Sequence, residues 1–130
     1  MPYTENAFLT VKTTAGAALP VSDAVVRIRG ADEENRFIEY SLLTDVDGVT
    51  PPISLPTPPK VASLSPRAPE SPYSSYEVEI VKSGYYTKRL VGLAMFSGID
   101  TILPIDMIPL GEGELGGVLN LTLTQNEMLE

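Results

Sequence analysis

Two groups of residues have the types and spacing to support chemistry: the acidic turn Asp45-Val46-Asp47-Gly48 and the tyrosines Tyr73, Tyr76, Tyr85 and Tyr86. The acidic turn matches the opening of a calcium loop, but the later oxygen ligands do not follow at EF-hand spacing. A hairpin turn is its default role, since Asp-Gly supplies a positive φ at low cost. Aromatic faces suit sugar C–H groups, which makes Tyr73, Tyr85 and Tyr86 the candidate glycan contacts. Tyr76 and one of Tyr85 and Tyr86 are expected in the core. Serine and aspartate are plentiful, but without histidine no Ser-His-Asp triad exists. A Ser–Lys dyad remains formally open, yet no Gly-x-Ser-x-Gly elbow occurs. Two carboxylates acting on a glycoside need a cleft, which a small sandwich seldom provides. Asn120-Leu121-Thr122 fits a glycosylation sequon, a pattern common by chance. The expectation is therefore a chain that is not an enzyme, with no catalytic, cofactor or metal residues.

Composition narrows the classes further. A chain of 130 residues is about one domain and can bury a core without staples. Cysteine is absent, which excludes disulfides, thiolate metal sites and cysteine nucleophiles. The net charge of −8 repels phosphates, so no nucleic-acid partner is expected. No stretch approaches the roughly 20 apolar residues of a membrane helix. Met1-Pro2-Tyr3-Thr4-Glu5 lacks a basic patch leading into an apolar run, so no Sec signal is seen. The compartment stays open between a spore or cell surface and a phage-type particle.

The elements that must position these residues read as strands. Leu9, Val11 and Thr13 share one face of 7–14, with Phe8, Thr10 and Lys12 on the other. Ala24, Val26 and Ile28 alternate with Arg27 and Arg29, and Tyr76, Val78 and Ile80 with Glu77 and Glu79. Further strands are expected over 37–44, 53–55, 85–93 and 101–110, the last confined to an edge or bulge by Pro104. Helix signals are poor, because proline and glycine interrupt nearly every long window. Residues 51–72 hold eight prolines and read as a stiff crossover loop packed across a sheet edge, with a proline-recognition ligand as the sharper alternative. Residues 111–117 read as a glycine-rich linker, followed by a C-terminal strand and tail over 118–130. There Leu119, Leu121 and Leu123 line one face, against Asn120, Thr122 and Thr124. Such a face must be buried, on its own sheet or on a neighbour's edge.

The order of these signals resembles the transthyretin-like, or carboxypeptidase regulatory-like, domain and its Cna B-type relatives. The matching residues are Leu9-Thr10-Val11, Leu19-Pro20-Val21-Ser22-Asp23-Ala24-Val25-Val26, Thr44-Asp45 with Gly48, and Ser83-Gly84-Tyr85-Tyr86. They cover residues 7–110. Thr50–Pro56, Ser71–Tyr76, and Phe96-Ser97-Gly98-Ile99 leading to Ile108-Pro109-Leu110 look closest to the version in spore cortex-lytic proteins of Firmicutes. The resemblance implies an all-β, seven-stranded antiparallel Greek-key sandwich over 1–110, to which the tethered C-terminal strand is extra. It also implies an accessory role without catalysis. Some Cna B-type domains carry an intramolecular isopeptide bond, for which Lys12 and Asp106 would be the partners. However, Lys12 alternates with the apolar face and is expected in solvent.

The resulting expectation is a structural or interaction subunit, a homo-oligomer or part of a larger surface assembly. It would associate by exchange of the strand carrying Leu119, Leu121 and Leu123. The alternative is a carbohydrate-binding accessory module that docks lytic machinery onto peptidoglycan through Tyr73, Tyr85 and Tyr86.

Overall fold

A computed structural model of the chain describes residues 4–16, 18–58 and 73–111, together with the backbone of 118–122. These residues form nine strands and no helix. They are β1 (Glu5–Ala15), β2 (Leu19–Pro20), β3 (Val25–Gly30), β4 (Glu39–Leu43), β5 (Ile53–Thr57), β6 (Ser74–Val81), β7 (Thr87–Met95), β8 (Asp100–Met107) and β9 (Val118–Thr122).

The strands make two sheets. The first is built on β1, with β8 along one edge and β5 and β2 sharing the other. The second runs β4-β3-β6-β7-β9. Alternation explains the layering. Leu9, Val11, Leu55, Leu103, Ile105 and Met107 of the first sheet are buried against Val26, Ile28, Tyr76, Val78, Ile80, Leu90 and Leu93 of the second. Side chains one position along point to solvent, as the period of two requires.

Three features differ from the sequence reading. The described residues hold nine strands rather than seven plus one. Leu19–Pro20, inside a segment read as a bulky turn, pairs with Thr14 and Ala15. The sandwich is also not purely antiparallel: β8 runs parallel to β1, and β9 parallel to β7. Finally, the proline-rich stretch opens with strand β5, while residues 59–72 of the proposed crossover lie outside the described residues.

Buried threonines tie the turns to the sheets. Thr13 Oγ1 donates to the carbonyls of Val21 (2.8 Å) and Gly48 (3.1 Å). Thr44 Oγ1 donates to the Val21 carbonyl at 2.7 Å and accepts from the Ala24 amide at 2.9 Å. Thr50 Oγ1 accepts from the Val11 amide at 2.9 Å. Beside the β3–β4 connection, buried Asn35 accepts from the Asp32 amide at 2.8 Å and donates to the Ser75 carbonyl at 3.1 Å.

Candidate functional site

Each candidate from the sequence has a definite place. The Asp45 carboxylate accepts from the amides of Asp47 (2.9 Å) and Val49 (3.0 Å), closing the turn on itself. Gly48 takes φ +76° there. The carboxylate that a calcium loop would need thus serves as a turn cap. Among the described residues no group of three or more acidic, histidine or cysteine side chains converges to hold a metal.

The tyrosines do not form one platform. Tyr73 stands beside Phe96, ring centroids 5.6 Å apart, at the end of the β6–β7 hairpin where Ser74 pairs with Met95. Tyr85 and Tyr86 stand at the opposite end, where the Tyr85 amide donates to the Lys82 carbonyl and the Tyr86 amide to the Ile108 carbonyl. Eight residues of β6 separate the ends, on the order of 25 Å at about 3.3 Å per residue. Tyr85 packs partly into the core. Tyr76, by contrast, is fully buried, as alternation implied.

Lys12 and Asp106 fall on the same outer face of the first sheet. Lys12 is in register with Pro104, and Asp106 lies two positions further along the same strand. Both are exposed. An amine in water stays protonated and does not attack a carboxyl carbon, so this pair lacks the desolvation an isopeptide bond requires.

The two outer faces differ in chemistry. On the second sheet, Arg27 pairs with Glu79 at 3.7 Å and Arg89 with Glu77, while Arg29 is in register with Glu77 and with Glu39. Opposite charges alternate across the strands and neutralise one another. They line a shallow hollow of about 130 Å³ with no uncompensated charge to attract a ligand. On the first sheet, Phe8, Thr10, Pro52, Asp100, Thr101 and Ile102 line an open groove of about 420 Å³.

The sheet edges differ more sharply, in a way the backbone ladder makes plain. The Phe8 amide donates to the Ile99 carbonyl, so odd-numbered residues of β8 bond β1. Even-numbered ones then direct their amides to the free edge. Pro104 occupies one of those positions and has no amide to offer. Because even residues of β1 serve β8, its odd residues serve β5. In the register Ala7↔Leu55 the outward position on β5 falls to Pro56. Both free edges of the first sheet are thus blunted by proline, a standard defence against edge-to-edge pairing. The second sheet has no such device: β4 and β9, its two edge strands, contain no proline.

The C-terminal strand lies on the second sheet. Val118–Thr122 pairs in parallel with Thr87–Val91 of its own chain, placing Leu119 in register with Lys88 and Leu121 with Leu90. Leu123 lies outside the described residues, as does most of the linker. Sequence reasoning foresaw an amphipathic strand here. It did not foresee the proline-free edge of β4, although the parity of the prolines could have signalled it.

No family model and no curated protein matches the chain. Solved structures do. The Bacillus anthracis TIE protein matches with a TM-score of 0.54 at 13% identity over 82% of this chain and 17% of its own. The minor pilin GBS52 of Streptococcus agalactiae matches with 0.53 at 12% over 85% of this chain and 48% of its own. The 3-chlorocatechol 1,2-dioxygenase of Rhodococcus opacus matches with 0.56 at 14% over 85% of this chain and 64% of its own. The chain therefore spans less than two thirds of each of these proteins. At such identities the likeness is one of fold, and the fold is the β-sandwich that the transthyretin-like resemblance implied. The dioxygenase corrects one expectation. Setting enzymes aside on fold and residue types does not stand, because this architecture is shared with an enzyme.

Proposed function

We propose that the chain is an interaction subunit that assembles with copies of itself, or within a larger surface structure, by exchanging its C-terminal strand. The observation that supports this reading is the β7–β9 pairing. Strand β9 touches the sheet only through β7, and residues 111–117, four of them glycine, connect it to the rest of the chain. Eight residue steps separate Leu110 from Val118, a reach of roughly 27 Å. A neighbouring copy within that reach can present its own Val118–Thr122 to the same edge with the same ladder of hydrogen bonds. The exchange then costs little, as in domain swapping generally. The peptidoglycan alternative draws no comparable support, because Tyr73 is remote from Tyr85 and Tyr86.

Register supplies the test. Thr87 and Val118 are partners, and the chain has no cysteine. A T87C/V118C variant places two thiols within disulfide reach on neighbouring strands. After mild oxidation at rising concentration, non-reducing electrophoresis should show covalently linked dimers or longer chains. Intrachain-bonded monomers alone, at every concentration, would overturn the exchange.

A further inference from the structure

We propose that the outer edge of β4 pairs antiparallel with the same edge of a second copy, across a two-fold axis at Ser41. The inference concerns the sheet edge opposite β9 and does not depend on strand exchange.

The ladder supplies the geometry. The Gly30 amide donates to the Ile38 carbonyl at 3.1 Å and the Thr44 amide to the Ala24 carbonyl at 3.0 Å. Together with the register Ile28↔Tyr40, this assigns even-numbered residues of β4 to the bonds with β3. The amides and carbonyls of Glu39, Ser41 and Leu43 therefore face the free edge, and among the described residues no strand pairs there. Residues with outward groups recur at every second position, so two copies related by a two-fold axis at Ser41 bring them together as hydrogen-bonded pairs. Ser41 meets Ser41, and Glu39 meets Leu43, with donors and acceptors matched throughout.

The side chains fit the same arrangement. Tyr40 of one copy stands opposite Leu42 of the other, and the stem of Glu39 opposite Leu43. No like charges face each other directly, which would be destabilising. The two Glu39 carboxylates lie about 13 Å apart along the strands at ~3.3 Å per residue, beyond the screening distance of about 8 Å at physiological salt. Exposed apolar side chains also cluster here: Phe37 and Val46 are each 80% exposed, Leu43 58% and Tyr40 37%. A self-complementary apolar edge without proline or lysine, on a molecule that blunts both edges of its other sheet, is an edge kept for pairing. A second copy is the occupant because the pattern of this strand reads the same from either side of Ser41.

The chain has no native thiol, so a single S41C substitution reports the axis directly. Hydrogen-bonded partners in an antiparallel pair hold their Cα atoms about 5.5 Å apart, inside the disulfide range. Full-length S41C should convert to a covalent dimer under copper-phenanthroline oxidation at micromolar concentration. S54C, exposed on the Pro56-blunted strand, should remain monomeric under the same treatment. S41P removes the central outward amide without touching the β3–β4 ladder, and S41K sets two ammonium groups face to face. Each should weaken the dimer by at least about tenfold in sedimentation equilibrium, with an unchanged circular dichroism spectrum. A monomeric unmodified chain, S41C that cross-links no faster than S54C, or a dimer indifferent to S41K would each overturn the pairing. T87C/V118C reports strand exchange separately, so failure of one reading leaves the other standing or falling on its own result.

Discussion

The hydroxyl of Tyr76 donates to the backbone carbonyl of Pro56 at 2.7 Å, a side-chain bond from β6 of one sheet to β5 of the other. The ring fills the fully buried centre of the sandwich while its polar tip finds the one strand whose neighbouring amide position is a proline. One residue thus packs the core and ties the layers together.

Replacing it as Y76F keeps the ring and deletes the bond. We expect a loss of about 1 kcal/mol, measured by urea unfolding at neutral pH. A loss below the error of the measurement would mean that the bond contributes nothing net.

Burial pushes the Tyr76 phenol above its ordinary value of 10.0, with hydrogen bonding to Asn35 and Ser74 opposing that shift. Above pH 10 the unfolded chain releases this proton while the folded chain keeps it, so the unfolded state is favoured as pH rises. The stabilisation is complete below pH 10 and fades as pH climbs through the raised folded value. Unfolding midpoints measured between pH 9 and 11 should fall more steeply for the unmodified chain than for Y76F.

Gly48 has two reasons to be glycine. Its φ is +76°, and a Cβ there would lie 2.4 Å from the Thr13 carbonyl oxygen, a backbone atom that cannot swing aside. G48A should cost about 2–3 kcal/mol and lower the melting temperature by roughly 10 °C. A melting temperature within 2–3 °C of the parent, on the order of 1 kcal/mol, would show that the turn relaxes freely.

Thr44 sits at the meeting point of the β3 entry and the acidic turn. T44V keeps shape and removes both bonds of its hydroxyl, stranding the buried Ala24 amide. We expect a loss of about 1–3 kcal/mol. Hydrogen exchange at Ala24 should accelerate in the same variant, and an unchanged exchange rate would count against the assignment.

Pro104 is exposed and its position carries no ladder bond. P104T should therefore leave stability close to its parent value while restoring an amide to the free edge of β8. Association, followed by light scattering over days at high concentration, should rise in P104T. If both chains stay equally dispersed, proline at that edge is not what keeps it unpaired.

Much of this architecture was legible in the residues alone. Alternation assigned Leu9, Val11, Val26, Ile28, Tyr76, Val78 and Ile80 to the interior, and the placement of Pro104 at an edge followed from its missing amide. Such inferences succeed because the period of a strand is a local property, written into consecutive side chains. Partners are not local. That β8 runs parallel to β1, that Leu19–Pro20 joins the sheet, and that β9 settles on β7 depend on which distant edges meet. The glycan reading failed for the same reason: four tyrosines within fourteen residues of sequence stand at opposite ends of a hairpin, because an extended strand carries its ends far apart. Only the assembled ladder shows which amides each sheet leaves facing outward. It is there, in hydrogen bonds between segments remote in sequence, that the edges closed by proline part from the edge left open.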